Sequence, residues 1–466
     1  MRRRDPLSAE AQPSPSTGRI AGYFKFAERG TTIGTETKAG LTTFFVMVYI
    51  IFLNAGILGA GFGLDPAGIA AVSAATALIA GIMTIAMGIV GNYPLALAAG
   101  LGINGIVAFS LTARGLSPEG AMGVIVLEGL AVTLLVVVGF REAVMNAVPL
   151  ALKKAIGAGI GLFILFIGFV GGGFIATPAG GVPIVAPVFP TTTAQFLFLA
   201  GLLFTIVLWV LKIRGALIIS IAVITVVALA LGVAKVPTEF SVTPSFATLG
   251  KFNLTNVFDV LGTLAAALTI FAIMLTDFFD TMGTVTGVAS EAGLAEEDGS
   301  VPGVGRVLLV DSIAAVAGGV GGVSSNTTYI ESAAGVAEGG RTGFASVVTG
   351  VLFLFAIFLS PLAQIIPVEA TSPALVLVGY LMFTQLKGID IGDSEDGLPA
   401  LLTMILMPLT YDITVGIGAG FITWVLIKLA KGKVSEIHPL MWVVSAMFIV
   451  YFLQGWLDIL ISSPAS

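Results

Sequence analysis

The sequence predicts an all-α integral membrane fold of about fourteen transmembrane segments, arranged as a 7+7 inverted repeat. Three observations carry that expectation: an apolar composition, a string of bilayer-length apolar stretches, and a matched pair of interrupted segments. Of the 466 residues 57% are hydrophobic and only 10% are charged, with a mean hydropathy of +1.05. An ordinary soluble domain carries about 25% charged residues, so a water-soluble fold is excluded. Each crossing takes about 20 apolar residues, and such stretches consume most of the chain. The 59 glycines suit helices that touch closely or unwind inside a bundle.

Taken in order, residues 1–22 are polar and proline-containing and lack the apolar core of a secretory signal. They are expected to form a disordered cytoplasmic tail, and residues 23–466 a single transmembrane domain. In the first repeat, 39–234, spans are expected near 41–61, 68–90, 94–112, 120–140, 155–173, 196–212 and 216–234. In the second, 255–430, they fall near 260–285, 306–323, 325–340, 343–365, 371–387, 398–411 and 413–430. A further apolar segment at 440–456 is an extra crossing, a half-span, or the last helix if 398–430 is one broken hairpin.

Arg2, Arg3, Arg4, Arg19, Lys25, Arg29 and Lys38 precede the first span. Arg141, Lys153, Lys154, Lys212, Arg214, Arg306, Arg341, Lys428, Lys431 and Lys433 fall on the same side under this count. An excess of Lys and Arg marks the cytoplasmic side, which predicts a cytoplasmic N-terminus; the cell membrane is the expected location. The segment 171–193 has neither residue, as an outer loop should.

Laying the stretch from Thr43 over that from Thr269 aligns Phe45 with Phe271 and Asn54 with Asp280. The third span of each half is interrupted: NYPLALAAGLGINGIVAF by glycines, and SSNTTYIESAAGVAEGG by polar residues. Short or broken segments at corresponding places in two halves point to a midplane substrate site. An odd number of spans per half makes the halves inverted.

Ionisable residues at membrane depth cost a few kcal/mol each, and those that persist usually face a cavity. The candidates are Glu128, Asp277, Asp280, Asp311 and Glu331. Asp277, Asp280 and Thr284 fall on one helical face. Glu331 follows Ser324, Ser325, Asn326, Thr327, Thr328 and Tyr329 in a stretch too polar for lipid, which survives only where it lines a cavity. Those hydroxyls and the amide could equally cap a half-helix. Asn104, in GLGING, offers an amide at the equivalent break, for a substrate or for an interhelical bond. Asp311 is open to a proton-relay role or simple packing, and the acidic loop of Asp390, Asp393, Glu395 and Asp396 reads as solvated surface.

No cysteine is present and His438 is the only histidine, which removes thiolate and histidine metal sites, disulfides and cysteine nucleophiles. No hydrolase triad or phosphate-binding loop is visible, so no enzyme activity and no cofactor is expected. The formal charge of -6, with no basic run beyond Arg2–Arg4, gives no reason to expect nucleic acid.

ERGTTIGTETKAGLTTFFVMVYII, NYPLALAAGLGIN, FFDTMGT, GRVLLVDSIAA, TTYIESAAGVAEGGRTG and ILMPLTYDI resemble, in order and spacing, the AzgA-like branch of the nucleobase cation symporter-2 (nucleobase-ascorbate transporter) family. The likeness runs from Tyr23 to Lys433. It implies core and gate domains, a homodimer, and import of hypoxanthine, guanine or adenine with protons. It also implies that Asp280 and Glu331 hold the base, and that Asn104 matches the asparagine of the family's third-helix motif. Asn54-Ala55-Gly56 and Ala99 depart from prolines common in the family, and Ile106 and Val107 stand where aromatic residues are common.

The expected function is therefore purine nucleobase import by proton symport. Asp280, Glu331, Asn104, Asp277, Thr328 and Tyr329 are the expected substrate contacts, and Asp280, Glu331 and Asp311 the proton-handling groups. The alternatives are a uracil, xanthine or other small-solute permease of the same fold, and sodium coupling. An anion carrier would need a cationic site, and no lysine or arginine is expected mid-span.

Overall fold

A computed structural model describes residues 18–139, 147–176, 186–238, 240, 242–296 and 300–462, with side chains to residue 453. Residues 1–17, Arg141 and the centre of the 171–193 loop lie outside the described residues. The chain opens with a short helix α1 (Arg19–Phe24) and enters the first span as α2 (Ile33–Met47) and α3 (Ile50–Phe62). This span begins at Ile33 rather than near residue 41, because the Thr32 hydroxyl caps it by accepting from Thr35 N at 3.2 Å. Then come α4 (Pro66–Ala86, extended to Gly91), the strand β1 (Leu97–Ala99), α5 (Leu101–Gly105, extended to Leu111) and α6 (Pro118–Val137). After α7 (Leu150–Gly171) and the two-residue strands β2 (Ile175–Ala176) and β3 (Ala186–Pro187), α8 (Thr193–Val210) and α9 (Ala216–Ala230) close the first half.

The second half repeats the plan. Its members are α10 (Leu254–Glu291), α11 (Val304–Gly321), β4 (Asn326–Thr328) with α12 (Ser332–Ala337), and α13 (Gly343–Ala356, extended to Ile365). Then follow α14 (Val368–Phe383), α15 (Gly397–Thr410) and α16 (Ile413–Ala430). Nine helical segments among the described residues are long and apolar enough to cross a membrane. Shorter apolar helices include Leu101–Leu111, Ala216–Ala230 and Gly397–Thr410. With β1–α5 and β4–α12 as broken crossings, each half holds seven. Residues 397–430 form two separate helices, and a further helix, α17 (Pro439–Ser462), packs against α16. The chain is a multi-pass membrane protein.

Two bundles emerge from the helix contacts. The core bundle joins α2–α6 to α10–α13, and the gate bundle joins α7–α9 to α14–α16. Glycines set the closest approaches inside each. A Cβ on Gly161 of α7 would stand 2.6 Å from Gly379 O on α14, and one on Gly379 equally close to Gly161 O. In the core, Gly343 and Gly88 meet in the same way, a Cβ on Gly343 lying 2.0 Å from Gly88 O. No side chain fits at such contacts, so the bundles hold backbone against backbone. At Gly262 (φ 74°) α10 breaks its helical path, a conformation glycine adopts without strain.

Several polar groups tie the core together. Glu36, fully buried, accepts from the backbone N–H groups of Arg341 (2.8 Å), Thr342 (3.3 Å) and Ala345 (3.3 Å) and so caps α13. Asn54, aligned with Asp280 in the sequence, donates instead to Thr76 Oγ1 (2.9 Å) and Val323 O (3.1 Å), a helix-joining role. The acidic loop is more than solvated surface. Glu395 binds Lys428 (2.6 Å), Lys433 (2.6 Å) and Lys431 (2.9 Å). Hydrogen bonds from Lys428, Lys433 and Lys431 hold its carboxyl well below the usual range.

Candidate substrate site

The site is built on the two breaks. β1 and β4 pair antiparallel, Leu97 with Thr328, Ala98 with Thr327 and Ala99 with Asn326. Unwound backbone in a membrane must find its hydrogen bonds within the protein, and this two-stranded ladder supplies them. The ladder is extended on both sides. Gly100 N donates to Ser325 O (2.8 Å) and Tyr329 N to Ala96 O (2.9 Å). Thr84 Oγ1 bridges Leu97 N (2.9 Å) and Leu97 O (3.0 Å), and Ser332 Oγ accepts from Ala96 N (2.9 Å). Gly100 is required at the turn out of β1, since a Cβ there would lie 2.8 Å from Thr327 Cγ2.

Between the paired breaks and the gate bundle lies a cavity of about 780 Å³. Gly100, Leu101, Gly102 and Ile103 form one wall, and Thr327, Thr328, Tyr329, Ile330 and Glu331 another. α10 contributes Phe279, Asp280, Gly283 and Thr284, and the gate bundle Ile156, Ile160, Val378 and Met382. Gly283 leaves its part of the wall open, with no atom within 4 Å of an added Cβ. Lys153, Lys154, Gln385 and Lys387 also line the space, towards the end of the membrane where the chain begins. Cations thus reach one end of the cavity, and none of them lies mid-span. They come from the first turn of α7 and the end of α14, and Lys153 Nζ sits 5.2 Å from the Phe279 ring centre.

Of the sequence-predicted residues, Asp280, Glu331, Thr328 and Tyr329 line this cavity together. Glu331 accepts from the Tyr49 hydroxyl (2.7 Å), and the Tyr329 hydroxyl donates to Ala99 O across the paired breaks. Thr328 Oγ1 is buried without a protein partner, and its N–H donates to Asp311 Oδ1 (3.0 Å). Asn104 is not on the lining. It is fully buried one residue beyond Ile103, with neither amide atom partnered. Asp277 also lies off the lining, accepting from Ser325 Oγ at 3.0 Å. Three residues advance a helix by about 300°, so Asp277 sits roughly 60° round α10 from Asp280, enough to turn it behind β4. Asp311 lies behind the same strand, accepting from Thr281 (2.7 Å), whose hydroxyl meets that of Thr327 at 2.7 Å.

Tyr49 and Phe279 were missed by the sequence reading, whereas Thr327 was read as part of the polar stretch before Glu331. Phe279 could have been found from its place beside Asp280 in FFDT, as an aromatic wall replacing the one absent at Ile106 and Val107. Both of those residues are buried and off the lining. Nothing local marks Tyr49, which meets Glu331 from 282 positions away.

A broken-helix cavity between two bundles, lined by carboxylates, aromatic rings and backbone, defines a membrane transporter rather than an enzyme. The permease family profile matches residues 34–419, and the chain belongs to that family. It is 40% identical to the guanine/hypoxanthine permease PbuG of Bacillus subtilis (strain 168), over 92% of this chain and 99% of that protein. It is 38% identical to the adenine permease AdeQ of Escherichia coli (strain K12), over 93% of this chain and 96% of that one. Its fold is that of the transmembrane domain of a cyanobacterial bicarbonate transporter, BicA, with a TM-score of 0.61 at 16% identity, covering 83% of this chain and 96% of that structure.

Proposed function

We propose that this chain imports purine nucleobases across the cell membrane by proton symport, with its N-terminus in the cytoplasm. One observation carries the reading: Asp280 and Glu331 face a single cavity whose other walls include Phe279 and Tyr329. A purine presents ring N–H donors on its edge and a flat π-face, and this lining offers acceptors for the first and rings for the second. The names of the relatives, permeases for guanine, hypoxanthine and adenine, support the same substrate class. With Lys153, Lys154 and Lys387 on the cytoplasmic side, the cavity is open inward. On the other side Arg114 pairs with Asp412 at 3.7 Å and donates to Thr269 Oγ1 at 2.8 Å, joining core to gate there.

Radiolabelled hypoxanthine, uracil and sulfate uptake in a host lacking its own carriers tests this. Hypoxanthine should accumulate and the other two should not. Accumulation should rise as external pH falls, collapse with a protonophore, and ignore replacement of sodium by choline. Sulfate uptake would overturn the substrate class, and uptake that follows sodium would overturn the coupling ion.

A further inference from the structure

We propose that Glu128 and Asp277 together form a proton-binding site, set behind the substrate cavity and separate from it, that carries the coupling proton. This rests on the symport reading above and adds where the proton sits. Glu128 lies at the middle of α6 and is fully buried. Gly129 beside it brings α6 so close to α11 that a Cβ would stand 2.6 Å from Val316 N. The Glu128 carboxyl faces that of Asp277 across the contact between α6 and α10. Yet both Glu128 oxygens and Asp277 Oδ1 are buried without a donor. A carboxylate only accepts, so the facing oxygens of the two carboxyls, which have no protein donor, are satisfied by one proton held between them.

The surroundings compensate the Asp277 side of the pair and not the Glu128 side. α6 packs against α10, α11 and the extension of α5. The ionisable groups facing the pair from these elements are carboxyls, with Asp311 on α11 the nearest addition. Ser325 and Thr327, at β4, give Asp277 its hydroxyl contacts. No three acidic or histidine side chains among the described residues converge on one point there.

Thr327 joins the pair to the cavity. Its residue lines the substrate space, while its hydroxyl reaches Asp277 on one side and the Thr281–Asp311 bond on the other. The coupling follows from the packing. Without the proton two buried charges repel across the α6–α10 contact; with it the contact closes and sets α10, hence Asp280, against the substrate. Asp280 and Glu331 then bind the base, and the pair behind β4 reports proton occupancy to them.

The test uses the full chain, wild type and Glu128→Gln, in proteoliposomes with a trapped pH dye and labelled hypoxanthine. The wild type should move protons with hypoxanthine. Glu128→Gln should lose that proton movement while exchange of labelled for unlabelled hypoxanthine, which needs no net proton transfer, persists at a measurable rate. Proton movement in Glu128→Gln equal to the wild type would overturn the proposal and leave symport standing, whereas a wild type that moves no protons would overturn both. Infrared spectra of the wild type guard against a variant that fails to fold. A buried protonated-carboxyl band should be present at neutral pH, shift when the chain is labelled at glutamate or aspartate, and fade at alkaline pH; its absence would also overturn the assignment.

Discussion

β1 with α5 and β4 with α12 are built alike: three extended residues, then a short helix, the two strands paired in opposite directions. Their side chains differ. The first wall offers the cavity Gly100, Leu101, Gly102 and Ile103; the second offers Thr327, Thr328, Tyr329 and Glu331. Duplication has therefore copied the support and not the chemistry. The first break supplies close-approaching backbone and an apolar surface, and the second supplies the hydrogen-bonding groups.

The largest expected effect is on the polar wall. Glu331→Gln should weaken hypoxanthine binding to the purified protein by about 10- to 100-fold, since a hydrogen bond to a charged group is worth about 1.5–3 kcal/mol. Asp280→Asn should act similarly, while Ile103→Thr on the apolar wall should cost much less. Equal losses at Ile103 and Glu331 would break the distinction between the walls. Next in size is Gly100→Ala. Its methyl meets Thr327 at 2.8 Å, so the ladder must shift, at a cost of about 1–3 kcal/mol in stability that thermal unfolding in detergent would read. Smaller again is Tyr49→Phe, which removes one hydroxyl from Glu331 and should cost about 1 kcal/mol, or some fivefold in affinity.

The subtlest test uses the absence of cysteine. Gly283→Cys would place a single thiol in open space on the cavity wall. A membrane-impermeant thiol reagent should reach it from the side of Lys153 and Lys154, and hypoxanthine should protect it. Modification from the opposite side alone would reverse the assigned opening.

The fold was legible because lipid imposes one rule on every crossing, and the apolar stretches obey it from Ile33 to Ala430. Both breaks were legible too, as glycine in one half and hydroxyls in the other. Rotation about a helix was not. Asp277 and Asp280 share a face by spacing, yet Asp280 looks into the cavity and Asp277 behind β4, because the three-residue pairing of β4 with β1 decides which side is the interior. Asn104 fell to the same limit: its position along the chain was right for the break, but its direction depends on how α5 packs. Glu36 and Tyr49 were invisible for a different reason, since their partners are 305 and 282 positions away and no local pattern announces them.

The pairing of β1 with β4 also bears on how the chain is made. Residues 97–99 leave the ribosome long before residues 326–328, and until the later strand arrives the earlier one has polar backbone groups with no partner. Lipid cannot satisfy them. The first half must therefore wait in the membrane, incomplete and dependent on the insertion machinery, until the second half is threaded in beside it. A chain that stops short of Asn326 leaves an open strand edge in the bilayer and is not half of a transporter.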